Sequence, residues 1–210
     1  MLRSMVRFSC FAVFLAMAHV ALAQEFSADV FNQRQDKAVL HKVYATKDKI
    51  RFEVESMNAA MGPSAVILDE AKNNYIVIMA ERHMYMDAPQ MMVRPLANKF
   101  WRVQDVNDAC PQWKKTAEEG GVAQNWGSCT KIGSDTVNGR STVKYEGVSS
   151  KGEKGYVWID TKLHCVIKTD GGTGGGIELR NIQEGSQPAS LFEVPSGYTK
   201  FDMGAMMQRQ

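Results

Sequence analysis

Residues 50–55 read Ile50-Arg51-Phe52-Glu53-Val54-Glu55, in which apolar and charged side chains alternate strictly. Successive side chains of a β-strand point to opposite faces, so this pattern predicts a strand with one buried face and one hydrated face. Strands of this kind are typical of antiparallel sheets that cover a core on one side.

Nine further short stretches have similar patterns and are separated by turn sequences. These predicted strands cover residues 26–31, 38–44, 65–68, 75–79, 83–86, 141–148, 156–159, 163–168 and 177–182. Residues 72–74, 138–139, 151–153 and 160–162 are rich in Asn, Gly, Asp and Lys and mark tight reversals. About ten antiparallel strands with short turns predict a mainly β fold, either a single large curved sheet or an incomplete barrel.

Residues 88–130 interrupt this pattern and form a lid-like insertion in the predicted fold. Within it, Asp108 is expected to cap a short helix that has Pro111 in its first turn and ends at Gly120-Gly121. Three of the four tryptophans fall in this stretch, which favours a helical or loop-like lid over the sheet. An ordinary connection packed on the core is the alternative interpretation.

The first 23 residues have the parts of a secretory signal peptide. Arg3 and Arg7 precede an apolar run at 10–22 that ends in Ala21-Leu22-Ala23. The run is shorter than a membrane-spanning helix requires, and no stop-transfer pattern follows it. The sequence therefore predicts a soluble periplasmic or secreted protein without a transmembrane segment after cleavage. Its single β domain is expected at 24–202 and a disordered tail at 203–210.

Charge excludes some classes of partner. The predicted signal peptide contains two of the 25 basic residues and none of the 23 acidic ones, so the remaining chain has a formal charge near zero. Nucleic acids and anionic membrane surfaces select strongly basic patches. We therefore expect no nucleic-acid partner.

The cysteines predict one disulfide. Cys10 lies in the predicted signal peptide, which leaves Cys110, Cys129 and Cys165. Cys110 and Cys129 share one polar, irregular segment, and we expect them to pair. Cys165 alternates with Leu163 and is interpreted as a small buried core residue. No C-x-x-C spacing indicates a redox or zinc motif.

The sequence contains no recognisable catalytic, metal-binding or cofactor-binding motif. His41, His83 and His164 are isolated, and no G-x-S-x-G elbow exists. His83 next to Met84 suggests copper only weakly, because strand neighbours point to opposite faces. We expect no cofactor, no metal site and no enzymatic activity.

Five segments read in order resemble an exported bacterial family of unknown function. They are residues 26–30 (FSADV), 47–53 (KDKIRFE), 137–140 (VNGR), 157–160 (VWID) and 190–198 (SLFEVPSGY). That family is similar to the periplasmic lipoprotein carriers of the LolA/LolB type. The resemblance implies an unclosed antiparallel barrel with a hydrophobic concave face, a helical lid and acyl-chain ligands.

One position departs from the carrier pattern. Carriers have an inward-pointing arginine that holds the lid, whereas Arg51 alternates against Ile50 and Phe52. Arg51 is therefore expected to point away from an apolar cavity unless a bulge reverses the alternation.

Two functions follow as hypotheses. The first is a non-enzymatic binding protein that shelters a lipid, or the acyl chain of a lipoprotein, in its concave face. The residues expected to bind the acyl chain or cover it are Ile50, Phe52, Val54, Met84, Met86, Trp101 and Trp113. The alternative is an envelope protein-interaction or structural module without a ligand cavity, which would bind a protein partner through an exposed patch or sheet edge.

Overall fold

The computed structural model describes residues 25–32, 40–55, 62–69, 71–72, 74–88, 102–172 and 175–201. These residues contain twelve β-strands and one α-helix. In chain order the elements are β1 (Phe26–Asn32), β2 (Leu40–Ala45), β3 (Lys49–Val54), β4 (Ser64–Asp69), β5 (Asn74–Met79), β6 (Met84–Asp87), α1 (Cys110–Glu119), β7 (Trp126–Val137), β8 (Arg140–Ser149), β9 (Lys154–Asp160), β10 (Cys165–Asp170), β11 (Ile177–Glu184) and β12 (Thr199–Lys200).

All twelve strands belong to one curved, unclosed sheet. Its order is β12-β6-β5-β4-β3-β2-β1-β11-β10-β9-β8-β7, so β12 and β7 form the two edges. Neighbouring strands are antiparallel except at one edge, where β12 pairs with β6 in parallel. The prediction of a mainly β, single-sheet fold is confirmed.

Each of the ten strands that the alternation predicts has a counterpart within a few residues. Two strands were not predicted, and both are edges. β7 lacks alternation because it contains Gly127 and Gly133 and exposes side chains on both faces. Residues 126–130, assigned to the insertion by the sequence, are the start of this strand. β12 has only two residues, too few to show a period.

The apolar side chains on one face of β1–β6 meet in one interior cluster. Across neighbouring strands, the pairs Val43–Phe52, Phe52–Val66, Val66–Val77 and Val77–Met86 lie in register, which produces a continuous row of apolar side chains. The other half of the sheet adds Val137, Trp158, Leu163, Cys165, Ile167, Ile177 and Leu179 to the same cluster. The two halves of one curved sheet therefore enclose the same core between them.

The C-terminal segment covers the opposite face of β3–β6. Phe192, in a 3₁₀ turn at Ala189–Phe192, packs against Ala65, Ile67 and Ile78. β4 is consequently buried on both faces along its whole length. Arg51 points toward this cover and donates from Nη1 to the carbonyl oxygen of Leu191, at 2.9 Å. It lies on the opposite side of β3 from Phe52, as the alternation predicts.

Residues 102–109 and α1 pack on a second apolar cluster, which we call the helix-side cluster. Its buried members are Val103, Val106, Ala109, Val143, Tyr145, Ile159 and Val166. The hydroxyl of Tyr145 donates to the carbonyl oxygen of Val106, at 2.9 Å, and accepts from the backbone N–H of Ala109, at 3.3 Å. This tyrosine fixes the chain that leads into the helix.

Helix α1 begins and ends nearly where the sequence predicts. Pro111 lies in its first turn and Gly120 is its C-cap residue. The expected cap by Asp108 is wrong: Ala109 occupies the N-cap position and makes no side-chain cap hydrogen bond. The Tyr145 hydroxyl instead accepts a hydrogen bond from the N–H of Ala109. A tertiary contact thus partly replaces the local cap. No helix among the described residues is long and apolar enough to cross a membrane.

The predicted disulfide between Cys110 and Cys129 is confirmed, with Cα atoms 5.7 Å apart. It joins the first residue of α1 to β7. Cys165 is buried in the interior cluster, as expected.

Replacing Cys110 and Cys129 by alanine should lower the free energy of unfolding by about 3 kcal/mol, because a closed loop of this length restricts the unfolded chain. Urea unfolding of the oxidised protein and of the double variant measures this difference. Dithiothreitol should destabilise the wild type by a similar amount and leave the variant unchanged. An unfolding midpoint that ignores reduction would contradict the prediction.

The β7–β8 hairpin provides a second prediction. Asn138 and Gly139 have φ angles of 49° and 75°, as a two-residue turn of type I′ requires. Gly139→Ala should cost about 1 kcal/mol in unfolding free energy, because alanine adopts positive φ poorly. Gly147→Ala in β8 is the control, since an added Cβ has open space at both positions and only Gly139 has positive φ. Equal effects of the two substitutions in thermal unfolding would contradict this explanation.

Candidate functional site

The structure brings together five of the seven residues predicted to bind or cover an acyl chain. Ile50, Phe52, Val54 and Met86 are buried in the interior cluster, and Met84 packs against it. Phe52 has 0% of its surface exposed. Trp101 lies outside the described residues.

Trp113 lies elsewhere. Its ring packs edge-on against Tyr145, with centroids 5.3 Å apart, in the helix-side cluster. The described part of the predicted lid thus contacts the sheet through a cluster that does not contain Phe52. A lid function for residues 88–130 stays a prediction.

Methionines line the interior next to the β12 edge. Met79 on β5 lies opposite Met84 on β6, and Met86 continues the apolar row begun by Phe52. Methionine is unbranched and polarizable, so it rearranges in a packed core more readily than β-branched residues. This edge is therefore the most adaptable part of the interior.

The two histidines with described side chains, His83 and His164, lie apart from each other and have different partners. His83, with a φ of 50°, contacts Tyr198 in a tilted arrangement with ring centroids 5.3 Å apart. The Nδ1 atom of His164 lies 3.2 Å from the carbonyl oxygen of Gln104. The described residues contain no group of three or more His, Cys, Asp or Glu side chains able to hold a metal ion.

A row of lysines and aromatic rings, which we call the lysine–aromatic row, borders the interior on β8–β10. The Nζ atom of Lys144 lies 4.4 Å from the ring centroid of Tyr156 and 4.8 Å from that of Trp158. Lys168 Nζ lies 5.1 Å from the same Trp158 ring. Trp158 belongs to the interior cluster and Tyr156 packs against it, so both ammonium groups lie at the boundary of the apolar interior.

Asp135 fixes the Trp158 ring at this boundary. Its carboxylate accepts a 2.8 Å hydrogen bond from the indole N–H. That bond, together with one from the N–H of Thr136, holds the pKa of Asp135 below its usual value, and the nearby Lys144 and Lys168 act in the same direction. The sequence does not predict this arrangement, because Asp135, Lys144 and Trp158 become neighbours only when β7, β8 and β9 pair in the observed register.

Glu178 is buried and bound by three side chains. Its carboxylate contacts Arg180 at 2.7 Å, Lys168 at 3.3 Å and the side-chain amide of Asn138 at 3.2 Å. Burial raises the pKa of Glu178, but the hydrogen bonds from Arg180, Asn138 and Lys168 outweigh it and hold the pKa below its usual value. Glu178 is therefore an ionised anchor between β11, β10 and the β7–β8 turn.

A second ionic group lies nearby. Arg140 pairs with the buried carboxylate of Asp160 and, at 2.9 Å, with Glu184. Asp160 is the main cause of the raised pKa of Arg140. Lys162 Nζ lies 2.5 Å from Glu184, and together with Arg140 it lowers the pKa of that carboxyl.

A groove of about 380 Å³ lies between these two ionic groups. It is lined by Asn138, Arg140, Leu179, Arg180, Asn181 and Ile182. Arg140 and Arg180 already pair with carboxylates, and Asn181 donates to Asp29 at 2.7 Å. Because its polar side chains are occupied, we assign the groove a structural role.

Comparison with known proteins adds information on the fold. No protein-family model and no curated protein sequence matches this chain. A solved structure of an uncharacterised conserved protein from Thermus thermophilus is similar, with a TM-score of 0.50 and 11% identity over 86% of this chain and 91% of the other. At that identity the likeness shows the fold alone.

Structure neighbours with lower TM-scores include three further proteins. The lipoprotein LppX of Mycobacterium tuberculosis has a TM-score of 0.35 and 11% identity, over 78% of this chain and 87% of LppX. MucB, solved with MucA from Pseudomonas aeruginosa, has a TM-score of 0.37 and 12% identity over 80% of this chain. This chain spans about half of that structure (54%) and about a third of PNGF-II (32%), which is also similar.

Glu178 allows a pH test. Because its pKa is lower in the folded protein, ionised Glu178 stabilises the fold above the unfolded-state pKa of about 4.3, and this stabilisation is lost as the pH falls through the folded-state pKa. Glu178→Gln should therefore cost about 1–3 kcal/mol at pH 7, with the difference from wild type shrinking as the pH falls below about 4.3 toward the folded-state pKa. Urea unfolding at several pH values measures it. The exposed Glu118→Gln is the control, and a pH-independent difference for Glu178→Gln would contradict the assignment.

Proposed function

We propose that this protein is a non-catalytic binding protein that shelters the acyl chain of a lipid or lipoprotein inside its curved sheet. The observation that carries the proposal is the continuous apolar row from Val43 to Met86, which lies in register across five strands. The resemblance of the sequence to LolA/LolB-type carriers supports the same class of ligand.

Burial of methylene groups would supply the affinity. Each methylene removed from water contributes about 0.8 kcal/mol, so a long acyl chain binds tightly without any polar contact. Phe52 and its neighbours are buried, so an acyl chain must displace side chains as it enters. Met79, Met84 and Met86 are unbranched and repack readily, so we expect the acyl chain to be accommodated near β5 and β6.

The test uses the predicted signal peptide to export the protein to the compartment in which we expect it to bind its ligand. The full chain is produced with residues 1–23, purified from the periplasm and analysed by native mass spectrometry, and bound molecules are then extracted with solvent. We expect an acylated species that co-purifies with the protein. A protein that is free of acyl species and does not bind fatty-acid probes would overturn the proposal.

A substitution at the methionine edge tests the location. Met84→Gln should weaken binding of a fluorescent fatty-acid probe about fivefold, because about 1 kcal/mol of apolar contact is lost. Val122→Gln is the control: Val122 is 37% exposed and lies between α1 and β7, off the sheet. Equal weakening by both substitutions would argue against binding of the acyl chain at β5 and β6.

A protein-interaction module is the second candidate, and the β7 edge favours it. β7 has twelve residues and pairs with β8 on one side, and within the described chain its other side has no strand partner. Exposed strand edges bind partners by strand addition. Register shifts near Gly127 and Ile132 interrupt this edge, however, and such bulges discourage pairing. Periplasmic crosslinking from Ser134 in β7 tests this candidate, and the absence of a crosslinked protein would count against it.

A further inference from the structure

Lys144 differs from the other cations around the interior. The ring contacts with Tyr156 and Trp158 hold its ammonium group at the boundary of the interior cluster. It takes part in none of the ion pairs found among the described residues. Among the described residues, its charge is therefore balanced by ring faces and by carboxylates more than 4.0 Å away.

The neighbouring carboxylates already have other partners. Asp135 accepts from the indole N–H of Trp158. Glu146 accepts from the hydroxyl of Tyr156 at 3.1 Å and contacts Lys154 at 3.3 Å. Glu178 is shared by Lys168, Arg180 and Asn138. None of these three carboxylates pairs with Lys144.

The residue next to Lys144 on β7 has no side chain. Gly133 lies opposite Lys144 on β7, and a Cβ added at Gly133 would meet no atom within 4 Å. Lys168 lies close by, since both ammonium groups contact the Trp158 ring. A small anionic group placed here could accept hydrogen bonds from Lys144 and from the donors that Lys168 does not use for Glu178.

We propose that the lysine–aromatic row binds the anionic headgroup of the ligand, a carboxylate or a phosphate monoester, with Lys144 as its main contact. This inference rests on the proposed acyl-binding function and adds the chemical class of the ligand: a long-chain anionic amphiphile. The acyl chain continues from the headgroup into the interior cluster beside Trp158. Charge-assisted hydrogen bonds at a partly buried lysine are stronger than those at the open surface, so the headgroup contributes to both affinity and orientation.

Ligands that differ only in headgroup charge test the proposal. Oleate is compared with methyl oleate, and 1-oleoyl-lysophosphatidate with 1-oleoylglycerol, by isothermal titration of the delipidated protein below each critical micelle concentration. We expect each anion to bind at least tenfold more tightly than its neutral partner, with the advantage falling as salt is raised. The carboxylate and phosphate pairs distinguish the two headgroups.

Substitutions of single lysines test which residue binds the anionic headgroup. Lys144→Gln should weaken oleate binding about tenfold and leave methyl oleate unchanged, whereas Lys144→Arg should retain most of the affinity. Lys115→Gln, in α1, removes the same charge from an exposed site and should have no effect. Thermal unfolding checks that each variant is folded.

The outcomes separate the two proposals. Binding of charged and neutral ligands with equal affinity would overturn the headgroup site and leave the acyl-binding function standing. Equal weakening of oleate by Lys115→Gln and Lys144→Gln would also overturn it, because the effect would then be one of net charge. Failure of every acyl ligand to bind would overturn the proposed function and this inference together.

Discussion

Every other feature of this protein depends on the need to bury the apolar face of one sheet. A flat sheet of this size would expose that face, because nothing equivalent lies opposite it. The sheet curves instead, so that Phe52 and Val66 on one half share a cluster with Trp158 and Ile167 on the other. The curvature of the sheet, and not a second layer of strands, thus buries its apolar face.

The curvature coincides with irregularities in the ladder. Opposite Ala28, β11 carries an extra residue at Asn181, whose φ is 51°. Between β9 and β10 the register shifts at Ile167. Bulges bend a strand and increase its twist, so both halves of the sheet turn toward the same interior. Asparagine tolerates positive φ better than most residues, which suits Asn181 to this position.

The local pattern of the chain is enough to predict ten of the twelve strands, and long-range contacts account for the packing that it does not predict. Alternation near Phe52 identified both the strand and its buried face, and Asn138-Gly139 identified a turn. The sequence does not show that Phe192 would cover Ile67, or that the hydroxyl of Tyr145 would bond the N–H of Ala109, because these partners are distant in the chain. Trp113 was placed with Phe52 for the same reason: a tryptophan in an insertion gives no information about which side of the sheet it contacts.

The order of the strands has a consequence for how the molecule forms. β1–β6 make one meander and β7–β11 make another, and within each meander neighbouring strands are consecutive in the chain. In the order of paired strands, the two meanders join where β1 pairs with β11, whose residues are about 150 positions apart. Local hairpins close quickly, whereas a contact across most of the chain carries a large loop-closure entropy. We therefore expect the pairing of β1 with β11 to be the late, rate-limiting step of folding. In this step the two preformed halves come together around the core that they share.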